Sequence, residues 1–149
     1  VSANVPPPII CFLISRAHLL TFFESALFSI NASVSIIEIP VAEINQSVLP
    51  VQKILCYRQY ISNSDTTLVL IHDAQVSDTY YDAIYEHTTN SYRINATMHF
   101  ENYINGNIDE LDLYLVPDER RSSANRVILN GTKHSTNPIK IRITYSKPK

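Results

Sequence analysis

Glycine is almost missing from this chain: Gly106 and Gly131 are the two copies in 149 residues. A loop that cradles phosphate on backbone N–H groups needs glycines at close, fixed spacing, so neither a Walker loop nor a dinucleotide fingerprint can be built. Tryptophan is absent and methionine occurs once. Charged residues make up 17%, against roughly 25% in an average soluble domain. The five histidines are scattered, with no HExxH pair and no Cys/His cluster, which leaves zinc without sequence support. No cofactor is implied. The one long apolar stretch, residues 8–30, is interrupted by Arg16, His18 and Glu24. Each such residue at a bilayer centre costs about 2.5–3.5 kcal/mol, so the stretch reads as core-forming and not as a membrane span.

What the chain has is asparagine in the right company. Four N-glycosylation sequons begin at Asn31, Asn45, Asn95 and Asn130, and none has proline in the middle. With 12 Asn and 25 Ser plus Thr, about two copies would arise by chance. The excess points to an extracellular or lumenal setting. No signal-peptide pattern is recognisable, so a secreted chain would be a mature product or an excised fragment. In an oxidising compartment Cys11 and Cys56 are expected to pair, adding about 2–4 kcal/mol.

Period-two alternation runs through the middle and end of the chain. Phe28 to Ile36 places even positions inside and odd positions outside. Tyr92, Ile94, Ala96, Met98 and Phe100 form an inner face, with Arg93, Asn95, Thr97 and His99 outside. Leu111, Leu113 and Leu115 alternate with Asp112 and Tyr114, and Ile139, Ile141, Ile143 and Tyr145 with Lys140, Arg142 and Thr144. Residues 53–61 and 66–72 also read as strands. The second, apolar on both faces at Leu68-Val69-Leu70-Ile71, reads as a central strand. Pro40 and Pro50 fence a connection that contains Asn45. Asn105-Gly106 and Asn130-Gly131 are hairpin-turn signals.

Two stretches leave this pattern. Leu19, Phe22, Phe23, Ala26, Leu27 and Ile30 fall at helical spacing, so residues 16–27 read as an amphipathic helix, with a strand over Thr21 to Ile30 the competing reading. Residues 77–88 read as a short helix, with Thr79 and Asp82 in capping-box relation. Many short alternating strands with one or two short helices give an all-β fold, an antiparallel β-sandwich of immunoglobulin-like or jelly-roll-like type. Its expected extent is residues 9–146, after an extended proline-rich leader or linker at 1–8 and before a flexible basic end at 147–149.

On this map all four sequon asparagines are expected to meet water. Tyr80, Tyr81 and Tyr85 cluster between acidic residues and are the candidate partner-binding edge, since tyrosine suits interfaces. Asn105, Asn107, Asp109 and Asp112 supply oxygen at alternate positions like the start of a calcium loop, but without the glycine and terminal glutamate of an EF-hand. A turn with acidic flanks explains them better. Residues 73–118 hold nine acids against Arg93, and residues 119–149 hold eight bases against Glu119. Acidic and basic strands paired across one sheet account for this asymmetry. The basic end lacks interleaved aromatics, so no nucleic-acid partner is expected.

The composition and patterning imply a non-catalytic, glycosylated recognition or structural domain, part of a larger membrane-associated or secreted protein. It would bind a protein or glycan at an unglycosylated face and meet a membrane only through a parent chain or partner subunit. The competing reading is an accessory subunit or hydrolytic enzyme whose active residues lie between His72 and Asp82, where His72-Asp73 could serve acid–base chemistry. No nucleophile motif accompanies that pair.

Overall fold

The structure is a computed structural model, and it describes residues 12–14, 31–43, 50–63, 65–118 and 127–146. The expected leader, the 16–27 segment, Cys11, Asn45 and the basic end all lie outside the described residues. The chain order is β1 (Phe12–Ile14), β2 (Asn31–Glu43), β3 (Ile54–Ser62), β4 (Asp65–Leu70), α1 (His72–Val76), α2 (Asp78–Tyr81), β5 (Asp82–Glu86), β6 (Ser91–Asn95), α3 (Thr97–Ile104), β7 (Leu113–Pro117), β8 (Ile128–Leu129) and β9 (Lys140–Ser146). The strands make two antiparallel sheets, one in the order β1-β7-β3-β4 and one in the order β5-β6-β2-β8, with β9 also on β2. The fold is mostly β and sandwich-like.

β2 organises the second sheet. β6 pairs with its residues 36–40, while β9 pairs with residues 31–38 and β8 with Val41 and Glu43. Pro40 lies inside this strand instead of ending it. Its carbonyl accepts from Asn130 N at 2.9 Å, on the side where β9 has ended at Glu38 and β8 has yet to begin at Val41. The missing proline N–H therefore falls in a gap between two partners, where no ladder bond is lost.

The inner face of β2 is Ser35, Ile37, Ile39 and Val41, with Val34 exposed. This phase is the reverse of the expected one. The pairing with β9 slips between Ala32 and Val34, and a one-residue slip turns every later side chain to the other face. Tyr92 and Ile94 of β6 and Ala83 and Tyr85 of β5 share this face, and Ile54 and Cys56 of β3 with Leu113 and Leu115 of β7 come from the other sheet, all joined in one core with Ile71, Tyr81, Phe100 and Leu111. Burying each large side chain contributes about 1.5–3 kcal/mol.

The two sheets are tied at a corner. Lys53, just before β3, bridges to Ile84 of β5, and Tyr85 N donates to Gln52 O at 2.8 Å. Tyr81 and Tyr92 donate their hydroxyls to Ile54 O and Val51 O, respectively.

Four local expectations change. The alternation from Tyr92 ends at Asn95, and α3 begins at Thr97, so Thr97 and His99 are buried instead of solvent-facing. Asn105-Gly106 is not a hairpin turn but the end of α3. Gly106 takes φ +72° and donates to Tyr103 O, the left-handed helix terminus that glycine permits. The 77–88 stretch splits into α2 and strand β5, on which Ala83 and Tyr85 point inward and Asp82, Ile84 and Glu86 outward. Gly131 has no positive φ, so Asn130-Gly131 is not a type I′ turn either.

Candidate functional site

The 72–82 region carries the densest chemistry, and its chemistry is internal. Asp73 in α1 is fully buried. Its carboxylate accepts from Met98 N and His99 N, each at 2.9 Å, the first free amides of α3. Ala96, at the N-cap position of that helix, has no side chain to offer, and Asp73 supplies the missing cap from 25 residues away. Burial pushes its carboxyl above the usual range, and the two amide bonds, with one of its own backbone, pull it back down. His72 and Asp82 are exposed. One carboxylate sealed under a helix and two groups in solvent do not form an acid–base pair around a common cleft. Asp82 and Ala83 both have positive φ, at 64° and 58°, where the chain turns from α2 into β5.

The tyrosine cluster divides. Tyr81 is fully buried and Tyr85 nearly so, its hydroxyl donating to Asn90 Oδ1 at 2.7 Å. Tyr80 alone is exposed. Two of the three thus pack on the sheet and do not form a binding edge. Cys56 is a free thiol with no exposure, and burial first, then the charge of Asp73, drives its pKa up, which makes it inert. Its expected partner lies outside the described residues. Phe12, the next residue along, pairs with Leu115, which itself pairs with Cys56, so β7 stands between them.

The sequons behave differently from one another. Asn31 begins β2, and its side chain lies outside the description. Asn95 is half-buried. Its Oδ1 accepts from Thr97 N at 3.2 Å and from Thr97 Oγ1 at 2.6 Å, and Thr97 Oγ1 in turn accepts from Ser35 N at 2.8 Å. Asn130 is buried, 5% exposed, with Nδ2 donating to Asn137 O at 2.9 Å. Exposure was expected there, but the residue after β8 is turned under the 131–139 loop. That burial leaves Asn130 little surface on which to carry a bulky glycan in the folded domain.

Asn105 and Asn107 sit at the end of α3, where Asn107 Nδ2 donates to Asn102 Oδ1, and Asp109 and Asp112 follow in the lead to β7. Among the described residues no three His, Cys, Asp or Glu side chains gather to hold a metal ion, and no helix is long and apolar enough to cross a membrane. The basic strand β9 also finds a different partner from the one expected. Lys140 and Arg142 both approach Glu38 of β2 at 3.9 Å, and β9 pairs with β2, which lies outside the acidic 73–118 block. Such exposed pairs contribute about 0–1 kcal/mol.

The surface feature with the clearest outward chemistry is the β3–β4 hairpin. β4 closes the first sheet as an edge strand, not a central one. β3 starts buried at Ile54 and Cys56 and becomes exposed towards its tip, where Tyr60 is 48% and Ile61 59% exposed, with Leu68 of β4 at 45%. Ile61 and Leu68 share one face, because Ile61 pairs with Thr66 and Gln59 with Leu68. Arg58 lies 5.7 Å from the Tyr60 ring centre on the other face, a cation–π contact that steadies the exposed ring. β4 carries neither lysine nor proline, the residues that usually guard an open edge. An alternation argument could not find this site, because a two-sided apolar run looks the same in a sheet's middle and at an uncovered rim. No protein-family model, curated protein or solved structure matches the chain.

Proposed function

We propose that this domain is a non-catalytic, glycosylated recognition module of an extracellular or lumenal protein, built on a sandwich of immunoglobulin-like or jelly-roll-like type and carried by a larger membrane-associated or secreted chain. Its glycans belong to the sheet that holds Asn31 and Asn95. Its partner, a protein or glycan, meets the other sheet at the β3–β4 hairpin. The observation that carries this reading is the exposed pair Ile61 and Leu68 on one face of a hairpin whose outer strand, β4, carries neither lysine nor proline, with Tyr60 exposed on the other face. Two exposed aliphatic side chains on one face, an aromatic ring on the other and an open strand edge suit an interface better than solvent.

Native material treated with a glycosidase tests the compartment. The expected result is a mass loss that peptide mapping assigns to Asn31, Asn45 or Asn95 and not to Asn130. An unchanged mass contradicts the glycosylated reading. The hairpin is tested separately, by comparing the proteins crosslinked to wild type on its native surface with those crosslinked to Ile61→Asp and Leu68→Lys. Loss of specific crosslinks in folded variants supports the assignment, and identical crosslinks contradict it.

A further inference from the structure

The seat of α3 holds a group that no structural need explains. His99 is 1% exposed, and neither ring nitrogen has a hydrogen-bond partner. Its neighbour Phe100 meets the ring edge-on, with centroids 5.7 Å apart. A leucine would fill such a place without leaving two polar atoms unsatisfied.

The charges around His99 are those of the elements packed on α3. From β3 comes half-buried Arg58, whose positive charge bears on the ring. From α1 come Asp73, with both carboxylate oxygens already taken by Met98 N and His99 N, and exposed His72. From β2 come Ser35, Ile37 and Ile39, all uncharged, while Glu38 lies on the opposite face with Lys140 and Arg142. α3 itself adds half-buried Glu101. A proton on His99 would be cut off from water, faced by a cation, and without an acceptor for either N–H.

We infer that α3 is an acid-released latch: neutral His99 lets the helix seat on β2 and α1, and protonation of His99 lifts it, uncovering Phe100 and the inner ends of β2 and β6. Burial, and then Arg58, hold the seated imidazole down to about 4. The released imidazole titrates near its ordinary value of about 6.5. Seating is therefore favoured in full above that value, weakens as pH falls from there to about 4, and is level below. Asp73 acts in the opposite sense. Burial raises its carboxyl, so the seated helix holds that proton more tightly, and its titration favours seating at low pH. The acid response is carried by His99 alone.

Amide hydrogen exchange across residues 97–104, corrected for the intrinsic effect of pH, reads the latch directly. The wild-type opening equilibrium is expected to rise on the order of a hundredfold between pH 6.5 and 4. His99→Leu should keep these amides protected equally at both values, whereas His72→Ala should respond like wild type. Unchanged wild-type protection, or the same acid loss in His99→Leu, overturns the inference. Should His99→Leu not fold, the NMR titration of the wild-type imidazole decides: a midpoint well below 6 supports the latch, and one at 6.5 or above overturns it.

Discussion

β2 with β6, and β3 with β4, are both pairs of antiparallel strands rich in isoleucine, leucine and tyrosine, and the molecule treats them in opposite ways. The first pair is the middle of its sheet. Ile37, Ile39, Tyr92 and Ile94 lose all contact with water, and the outer face is given to Glu38 and Arg93. The second pair runs out to a rim, where Tyr60, Ile61 and Leu68 stay in solvent. Apolar content is therefore a statement about what a strand would bury, and the topology decides whether anything in the same chain buries it. One pair stabilises the domain; the other is free to act outside it.

That contrast can be broken or sharpened by substitution. Tyr92→Ala removes a fully buried ring and its bond to Val51 O. It should cost about 3–5 kcal/mol in denaturant unfolding. A loss below 1 kcal/mol would mean that the second sheet is not the structural half. Asp73→Ala strips the cap from α3 and leaves the buried N–H groups of Met98 and His99 without acceptors. The expected loss is about 1–3 kcal/mol, visible also as faster exchange of those two amides. Ile61→Asp and Leu68→Lys should change stability by no more than about 0.5 kcal/mol while raising solubility or reducing self-association in sedimentation. A large destabilisation there would show that the rim is covered after all. Smallest of all in energy, Cys56 should resist thiol labelling in the native protein and react on unfolding, because its side chain is fully buried.

The sequence showed much of the scaffold. Leu111, Leu113 and Leu115, Ile139 and Ile141, and Tyr92 and Ile94 alternate as read, because each stretch keeps one unbroken frame against a flat core face. β2 takes the phase opposite to its alternation, since Ile36-Ile37 and Pro40-Val41 are apolar doublets that fit either frame and the register slip before Val34 is a matter of pairing. α3 was hidden because Ala96, Met98 and Phe100 carry the strand's alternation straight into the first helical turn. The internal site was beyond local pattern altogether. Asp73 caps a helix that starts 24 positions later, and only the packing of α1 against α3 brings them together. Burial of Asn130 likewise depends on the 131–139 loop folding over it, which an Asn-Gly pair cannot announce.

The pairing of β2 with β9 has a consequence in time. Glu38 and Lys140 are neighbours in the sheet and roughly a hundred residues apart in the chain. A protein made from its N-terminus has β2, and later β6, long before β9 exists. The β3–β4 hairpin can close as soon as it is made, but one edge of β2 waits until the last strand arrives. Asn130 is made in that interval, so it spends its accessible life before the domain is shut. A sugar attached there would be carried into a place with no room for it. The order of synthesis, more than the finished surface, then governs which chains reach the folded state.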